Sequence, residues 1–355
     1  MLGKFHRFCL FLFAPALGFI VAFSQADPTA NFTQDTLHLP VSDYEKQTAL
    51  LQDRLSEASE IVEETGSTIE EIQESAEKEK QAYEQQNEQV NQLLTASKSQ
   101  TKYSADVLDS ILSNLLGDPI GQTFGKNATI KVYSLEESGY SGYMAKVRLT
   151  NPNALKVVLA NDQVKSRGET TSHAAKRKGA VLAINAGGFN SSGGYVSPIG
   201  ITVVDGQIKT FSTNTNLSFV GFNNKGRLVG GKVTSKEQIQ RMGVLQGASF
   251  LPTLLQDGKK MKIPSDWANA KHPRTLIGHF DNGDLLFIVI DGRGRGGSQG
   301  VTLEEAQRKL LEFHVRDAYN LDGGGSSAFY YKGRVLNHPS DGRERPVTSN
   351  IVILP

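Results

Sequence analysis

The 355-residue chain carries 38 Lys+Arg against 37 Asp+Glu with 38% hydrophobic residues, a length for two domains or one large domain with an appendage. Its 35 glycines favour a turn-rich β body, and 21% charged residues with ordinary aromatics exclude wholesale disorder. Only the first 30 residues hold an apolar run approaching membrane length, which excludes a polytopic membrane protein.

The near-neutral total hides an asymmetry. Residues 27–100 contain 16 acidic and 5 basic side chains, whereas residues 101–355 contain 31 basic and 21 acidic ones. An acidic arm is joined to a basic body. Such a body suits nucleic acid, an anionic polymer or an anionic small substrate. The N-terminus argues against nucleic acid. Lys4, His6 and Arg7 precede the apolar run 8–23, and Ser24-Gln25-Ala26 places small residues at the −3 and −1 positions of a cleavage site. That order predicts a signal peptide over 1–26, with an uncleaved anchor as the alternative, and a secreted or cell-envelope-associated protein. Cys9, the only cysteine, lies inside this segment. The exported chain would then have no thiol, which removes disulfides, zinc–thiolate sites and cysteine nucleophiles.

From Leu51 to Leu93 a ladder of mostly apolar residues advances by alternating steps of four and three, among Glu, Gln, Lys and Ser. This pattern predicts a helical coiled-coil stalk over 43–97, with a possible break at Gly66 and self-association through the seam. A helical linker over 98–125 follows, its apolar face formed by Val107, Leu108, Ile111, Leu112, Leu115 and Leu116, ending at Gly117-Asp118-Pro119. Beyond it the texture changes to short apolar runs punctuated by Gly, Asn and Asp. Strands are predicted at 129–135, 143–149, 154–160, 180–186, 200–204, 217–222, 275–280, 285–290, 327–331 and 349–354. Helices are predicted at 171–178, 235–242 and 303–315, the last opened by a capping box from Thr302 to Glu305. Strands outnumber helices without regular alternation. The body is therefore read as α+β, a mixed β-sheet domain with a few helices over 126–355.

The densest chemical motif is Asn320-Leu321-Asp322-Gly323-Gly324-Gly325-Ser326-Ser327, placed between a helix and a strand. Consecutive glycines permit backbone conformations closed to other residues, and their N–H groups can form an anion-binding nest. Asp322 sets a carboxylate at its edge, and Ser326 and Ser327 add hydroxyls. A second strand end runs into Asp291-Gly292-Arg293-Gly294-Arg295, whose spacing fails the dinucleotide pattern and reads instead as a phosphate or carboxylate clamp. Asn185-Ala186-Gly187-Gly188-Phe189-Asn190 repeats the layout, Pro273-Arg274-Thr275 opens a strand with a cation, and Glu344-Arg345-Pro346 precedes the last strand. Other classes drop out. The serines lack a Gly-x-Ser-x-Gly elbow, and His173, His272, His279, His314 and His338 are isolated in sequence and read as structural.

In this order the blocks from Ile184 to Phe189, Pro273-Arg274-Thr275 with Ile277-Gly278, Asp291-Gly292-Arg293, Gly300-Val301-Thr302 and Asn320 to Ser327 resemble the phosphodiester glycosidase family, which includes the animal mannose-6-phosphate uncovering enzyme. The resemblance covers roughly 126–355. It departs at Ala186-Gly187-Gly188-Phe189-Asn190, where the family more often has two glycines followed by aromatics, a difference that bears on the sugar pocket.

The resemblance implies a hydrolase that cleaves a sugar-1-phosphodiester to free sugar and phosphomonoester, acting on a phosphorylated glycan such as an envelope or extracellular polysaccharide. The chemistry is coherent. Ordinary glycoside hydrolysis needs two carboxylates because an alkoxide leaves. A phosphomonoester leaves as a stable anion, so one carboxylate with cationic contacts to phosphate suffices. Asp322, Asp291 and, in reserve, Glu344 are the candidate catalytic carboxylates, with the choice of nucleophile or base left open. Asn185, Gly187, Gly188, Arg274, Arg293, Asn320, Gly323, Gly324, Gly325, Ser326, Ser327 and Arg345 are the candidate substrate- and phosphate-binding residues. No cofactor is required, although carboxylates and loop carbonyls are also the donors that Ca2+ takes. The rival expectation is a non-catalytic envelope protein whose basic face binds anionic polymer while the coiled coil recruits a partner.

Overall fold

A computed structural model describes residues 41–98, 105–213 and 216–355. The expected signal peptide over 1–26, with Cys9, lies outside the described residues. The chain divides into two compact units between Gln85 and Gln86.

The predicted stalk lies within one helix, Val41–Lys98, which passes through Gly66 without interruption. Its seam residues are open to solvent: Leu55 is 75% exposed and Val62 71%. The predicted linker region holds a second helix, Ala105–Leu116, and a short strand, Gly121–Phe124.

The body is α+β, as expected, with three main sheets and few helices. An eight-stranded sheet has the order Gly121–Phe124, Ala128–Glu137, Tyr140–Leu149, Leu285–Ile290, Arg274–His279, Asp317–Leu321, Thr253–Gln256 and Lys259–Lys260. A five-stranded sheet runs Arg334–Val335, Phe329–Tyr331, Leu182–Asn185, Ser349–Ile353 and Leu155–Leu159. A third runs Leu228–Gly231, Ser218–Asn223, Val244–Phe250, Thr202–Val204 and Gln207–Thr210. Among the described residues the neighbouring strands of the eight-stranded sheet pair antiparallel throughout. The expected mixture of directions is thus not found in that sheet. Hairpin connections join antiparallel strands directly, whereas parallel neighbours need long crossovers.

Every predicted strand and helix is present within a few residues. Among the described residues ten further strands were not anticipated, the longest-paired of them being Val244–Phe250 and Asp317–Leu321. Each is short or interrupted by Gly and polar residues, so neither alternation nor an apolar run marks it.

Leu285–Ile290 shows how the layers form. Phe287 and Val289 face the core shared with Val157, Ile184, Phe329 and Ile351 of the second sheet and Val220 and Phe222 of the third. Leu286, Ile288 and Ile290 face the opposite side, against Leu108 and Leu112 of the Ala105–Leu116 helix and Leu303, Ala306 and Leu310 of the helix Leu303–Glu312. A strand buried on both faces must be apolar at every position, which explains its unbroken run. Burying one such side chain contributes about 1.5–3 kcal/mol.

Register then assembles the site. Arg274 pairs with Ile290 and Thr275 with Leu321, so the residues that follow those strands, Asp291 and Asp322, emerge at one end of the sheet.

Candidate active site

Asn185 is the joint between the sheets. It ends the strand Leu182–Asn185 and is fully buried. Its Nδ2 donates to the Asp322 carbonyl. Its Oδ1 accepts from the Thr275 hydroxyl at 2.7 Å and from the Ala328 amide at 3.2 Å. Asp322 N donates to the Ala186 carbonyl at 3.0 Å. These bonds fix where the glycine loop begins.

The loop is a tight 3-10 turn. Gly324 N donates to Pro273 O, Ser326 N to Gly323 O and Ser327 N to Gly324 O. Ser326 N and Ser327 N close the turn, and Gly324 N is spent on the Pro273 carbonyl, so one of the three glycine amides expected to form the anion nest is taken up by a neighbouring loop. Gly324 sits at φ +62, in left-handed space. Cationic side chains cover the loop instead. A Cβ on Gly324 would lie 3.1 Å from Arg293 Nη2, and one on Gly325 would strike Arg345 Nη2 and Asp341 Oδ2. A side chain at Gly325 would have to displace this ion pair. Arg345 donates to Asp341 through Nε at 2.9 Å and Nη2 at 2.7 Å, and Arg293 Nη1 lies 3.7 Å from the same carboxylate. Arg293 and Arg345 therefore converge on the glycine loop, through an aspartate that the sequence reading did not single out.

Asp322 is the functional carboxylate candidate of this loop. Burial pushes it up to about 6, against the opposing effects of the Ser326 hydroxyl, the Arg345 charge and the Gly323 amide. A carboxylate in that range exchanges protons near neutral pH, as acid–base chemistry requires.

Asp291 is built differently. Its side chain is 2% exposed. It accepts from Asn337 Nδ2 at 3.0 Å, from the His338 amide at 2.9 Å and from His338 Nδ1 at 3.1 Å. Burial raises it and these donors oppose the rise. Asn337 also donates to Ser327 O and accepts from Phe329 N, so it ties Asp291 to the end of the glycine loop. The carboxylate is directed to the Asn337-His338 segment rather than to Arg293. Asn337 and His338 carry no sequence signal beyond an Asn-His pair in a loop, and only the fold brings them to Asp291.

The remaining candidates sort by their contacts. Arg274 is buried and donates to Val301 O at 3.2 Å and Ala270 O at 2.8 Å; burial lowers it to about 10. These bonds hold two loops, so Arg274 is not placed as a clamp over the glycines. Glu344 accepts from the Ser172 amide at 2.8 Å and the Ser172 hydroxyl, capping the first turn of the helix Thr171–Lys178. Asn320 is buried, donates to Leu251 O at 2.7 Å and leaves its Oδ1 without a hydrogen bond. Gly187 N donates to Ser349 Oγ at 3.2 Å, and Gly188 packs under Phe250 and Ile199, too close for any Cβ. Ser327 Oγ lies 3.3 Å from Thr275 Oγ1. Among the described residues no cluster of three or more His, Cys, Asp or Glu is arranged to hold a metal ion.

The comparisons with known proteins bear on this end of the sheet. Residues 178–354 match the family model described as phosphodiester glycosidase. The chain is 29% identical over 273 residues to the SPbeta prophage-derived uncharacterized protein YomE of Bacillus subtilis, covering 70% of this chain and 40% of that one. It is 26% identical over 228 residues to the mouse N-acetylglucosamine-1-phosphodiester alpha-N-acetylglucosaminidase, covering 59% of this chain and 43% of that one. The matches thus span about two fifths of the length of these relatives. The zebrafish catalytic domain of that name, described as auto-inhibited by its pro-peptide, superposes with a TM-score of 0.55 at 20% identity, over 66% of this chain and 85% of that one. That likeness shows the fold. With its glycine loop, its Asp322 and its strand-end asparagine inside the matched span, the chain belongs to the phosphodiester glycosidase family.

Proposed function

We propose that the protein hydrolyses a sugar-1-phosphodiester, releasing free sugar and a phosphomonoester. The observation that carries this reading is Asp322, raised to about 6, beside a glycine loop over which Arg293 and Arg345 converge. Asp322 takes a proton from water as the water oxygen bonds to the anomeric carbon. The bond from that carbon to the phosphate oxygen breaks, and the electron pair leaves with the phosphomonoester. Arg293 and Arg345 offset the charge gathering on the phosphate, where fixed cations contribute most to the rate. The step needs no metal, and turnover is expected to persist in a chelator.

Substrate class follows the family: a phosphorylated glycan. The basic body, 31 Lys+Arg against 21 Asp+Glu in residues 101–355, supports attraction of such polyanions. The N-terminal apolar segment supports export, which would put the enzyme in the envelope or outside the cell, with extracellular polysaccharide as one substrate source. The test is release of free sugar from a panel of sugar-1-phosphodiesters by the purified protein. Turnover of any member upholds the reading. Tight binding of an anionic polymer with no turnover across the panel assigns the chain to the non-catalytic alternative.

A further inference from the structure

We infer that the Asp341 carboxylate is an internal competitor for the arginine site over the glycine loop. A phosphate group binds there by displacing it, so Asp341 sets which anions the site admits. This rests on the proposed activity in taking Arg293 and Arg345 as the phosphate ligands.

The geometry is that of a filled anion site. Arg345 donates to a single carboxylate oxygen, Asp341 Oδ2, from Nε at 2.9 Å and from Nη2 at 2.7 Å. Two such N–H groups on one edge of a guanidinium are what an arginine offers a phosphate. A ligand cannot take that edge while Asp341 holds it. Arg293 Nη1 lies 3.7 Å from the other oxygen, Oδ1, so the carboxylate stands between two cations. It is also seated on the glycine loop, because Oδ2 and Arg345 Nη2 are atoms that a Cβ on Gly325 would strike. One carboxylate against two guanidinium groups leaves a positive charge over.

The segment that carries Asp341 is built to yield. Gly342 N donates to Pro339 O at 2.9 Å, closing a turn whose central residues are Ser340 and Asp341. Both meet the arginines, Ser340 Oγ accepting from Arg293 Nη1 at 3.2 Å. Two posts flank this turn. Before it the His338 amide donates to the buried Asp291 at 2.9 Å, and after it Glu344 accepts from the Ser172 amide at 2.8 Å. Between the posts the ion pairs lie at the surface, with the side chains of Arg293, Asp341 and Arg345 46%, 34% and 40% exposed. Pairs in contact with water contribute little, so a better anion can replace this one.

Such a competitor acts as a filter. A carboxylate ligand offers the arginines no more than Asp341 does, and it must compete with a group tethered at high effective concentration. A phosphomonoester brings nearly two charges and three acceptor oxygens, which takes up the positive charge that Asp341 leaves. Carboxylates are thus rejected by a built-in rival and phosphates are admitted.

The experiment titrates orthophosphate, methyl phosphate and acetate into the full chain by calorimetry. The parent is compared with Asp341→Asn, Asp341→Ala and Asp341→Glu, each checked for folding by thermal unfolding. The parent should bind both phosphates saturably and far more tightly than acetate. Asp341→Asn should bind the phosphates about three- to tenfold more tightly, because the fraction of open sites rises. Asp341→Ala should do the same if the amide disturbs the turn, and Asp341→Glu, which keeps a tethered carboxylate, should stay within about twofold of the parent. Tightening in either neutral variant upholds the inference. Weaker or unchanged phosphate binding in both means that the carboxylate positions Arg345 for the ligand, and it overturns the inference. Acetate bound by the parent as tightly as phosphate, or no phosphate binding by any of the four proteins, overturns it as well. Turnover of a sugar-1-phosphodiester is scored separately. Turnover by the parent without tightening in the variants removes the competitor and keeps the activity; tightening without turnover keeps the competitor and removes the activity.

Discussion

Two loops of this molecule look alike in sequence and are built for opposite ends. Asp291 and Asp322 each follow a buried strand, and each is followed by glycines. Around Asp291 the chain returns three donors, from Asn337 and His338, and the carboxylate is sealed as a structural joint. Around Asp322 the amides of Asp322 and Gly324 go to the Ala186 and Pro273 carbonyls, the arginines lie over the glycines, and burial leaves the carboxyl at about 6. Strand-end carboxylates are therefore separated by the donors that the rest of the fold sends to them. The motif alone does not separate them.

The largest expected effect tests that contrast directly. Asp322→Asn should lower turnover by ~10²-fold or more, the loss typical of a general base, while the protein stays folded. Turnover by the parent should rise with pH through about 6, as the Asp322 carboxyl deprotonates, and the variant should lose that limb. Near-parental activity in a folded Asp322→Asn protein removes Asp322 from the chemistry. Stability should move the other way. The folded carboxyl is raised, so its contribution to stability is present below the unfolded value of 3.8 and is lost as pH rises through about 6. At neutral pH the variant should melt higher than the parent, by the equivalent of about 1–2 kcal/mol after allowance for solvent screening.

Asp291→Asn should show the converse, a net loss of stability on the order of 1–2 kcal/mol by denaturant unfolding, because an amide NH2 replaces one of the two oxygens that accept from Asn337 and His338, a loss that outweighs the relief of burying the raised carboxylate. Its turnover loss should be smaller than that of Asp322→Asn. A variant as stable as the parent, with turnover as low as Asp322→Asn, would reverse the two assignments.

Glu169 sharpens the comparison from a third carboxylate. Burial would raise it, but Arg177, the Asn161 amide and His173 bring it down to about 2. Its stabilisation is full above the ordinary value of 4.5 and is lost as pH falls toward 2. Glu169→Gln is thus expected to destabilise at neutral pH by about 2 kcal/mol, with the difference shrinking in acid. A pH-independent difference would show that the ion pair contributes little.

The smallest effect on chemistry is expected from the long helix. Ile69 and Ile72 on its seam are 50% and 62% exposed. Two copies pairing through this seam would cover them. Ile69→Lys should shift sedimentation of the full chain toward monomer and leave turnover per chain unchanged. A parent that is monomeric at every concentration ends the self-association expectation.

The strongly patterned elements were legible: the four–three ladder, the run Leu285–Ile290, and the capping box that opens Leu303–Glu312 with both reciprocal bonds in place. Local pattern suffices there because helix and strand periods are properties of neighbouring residues. Val244–Phe250 and Asp317–Leu321 were not legible, since Gly247 and Asn320 break their alternation and pairing partners hold them in the sheets. Of the site, Asp322 and the glycine loop could be picked from the chain by composition. The separation of Arg293 and Arg345 from Arg274 could not, because a guanidinium reads the same whether it faces a ligand or two backbone carbonyls. Asn337, His338 and Asp341 stay silent in sequence for the same reason. Their roles are contacts at long chain separation, such as the 46 residues between Asp291 and Asn337. The sequence by itself determined the element types, the charge division between arm and body, and the family blocks. Tertiary structure alone decided which carboxylate is tied to Asn337 and His338 and which lies against the glycine loop, because a pKa and a hydrogen-bond count depend on burial and partners that distant segments supply.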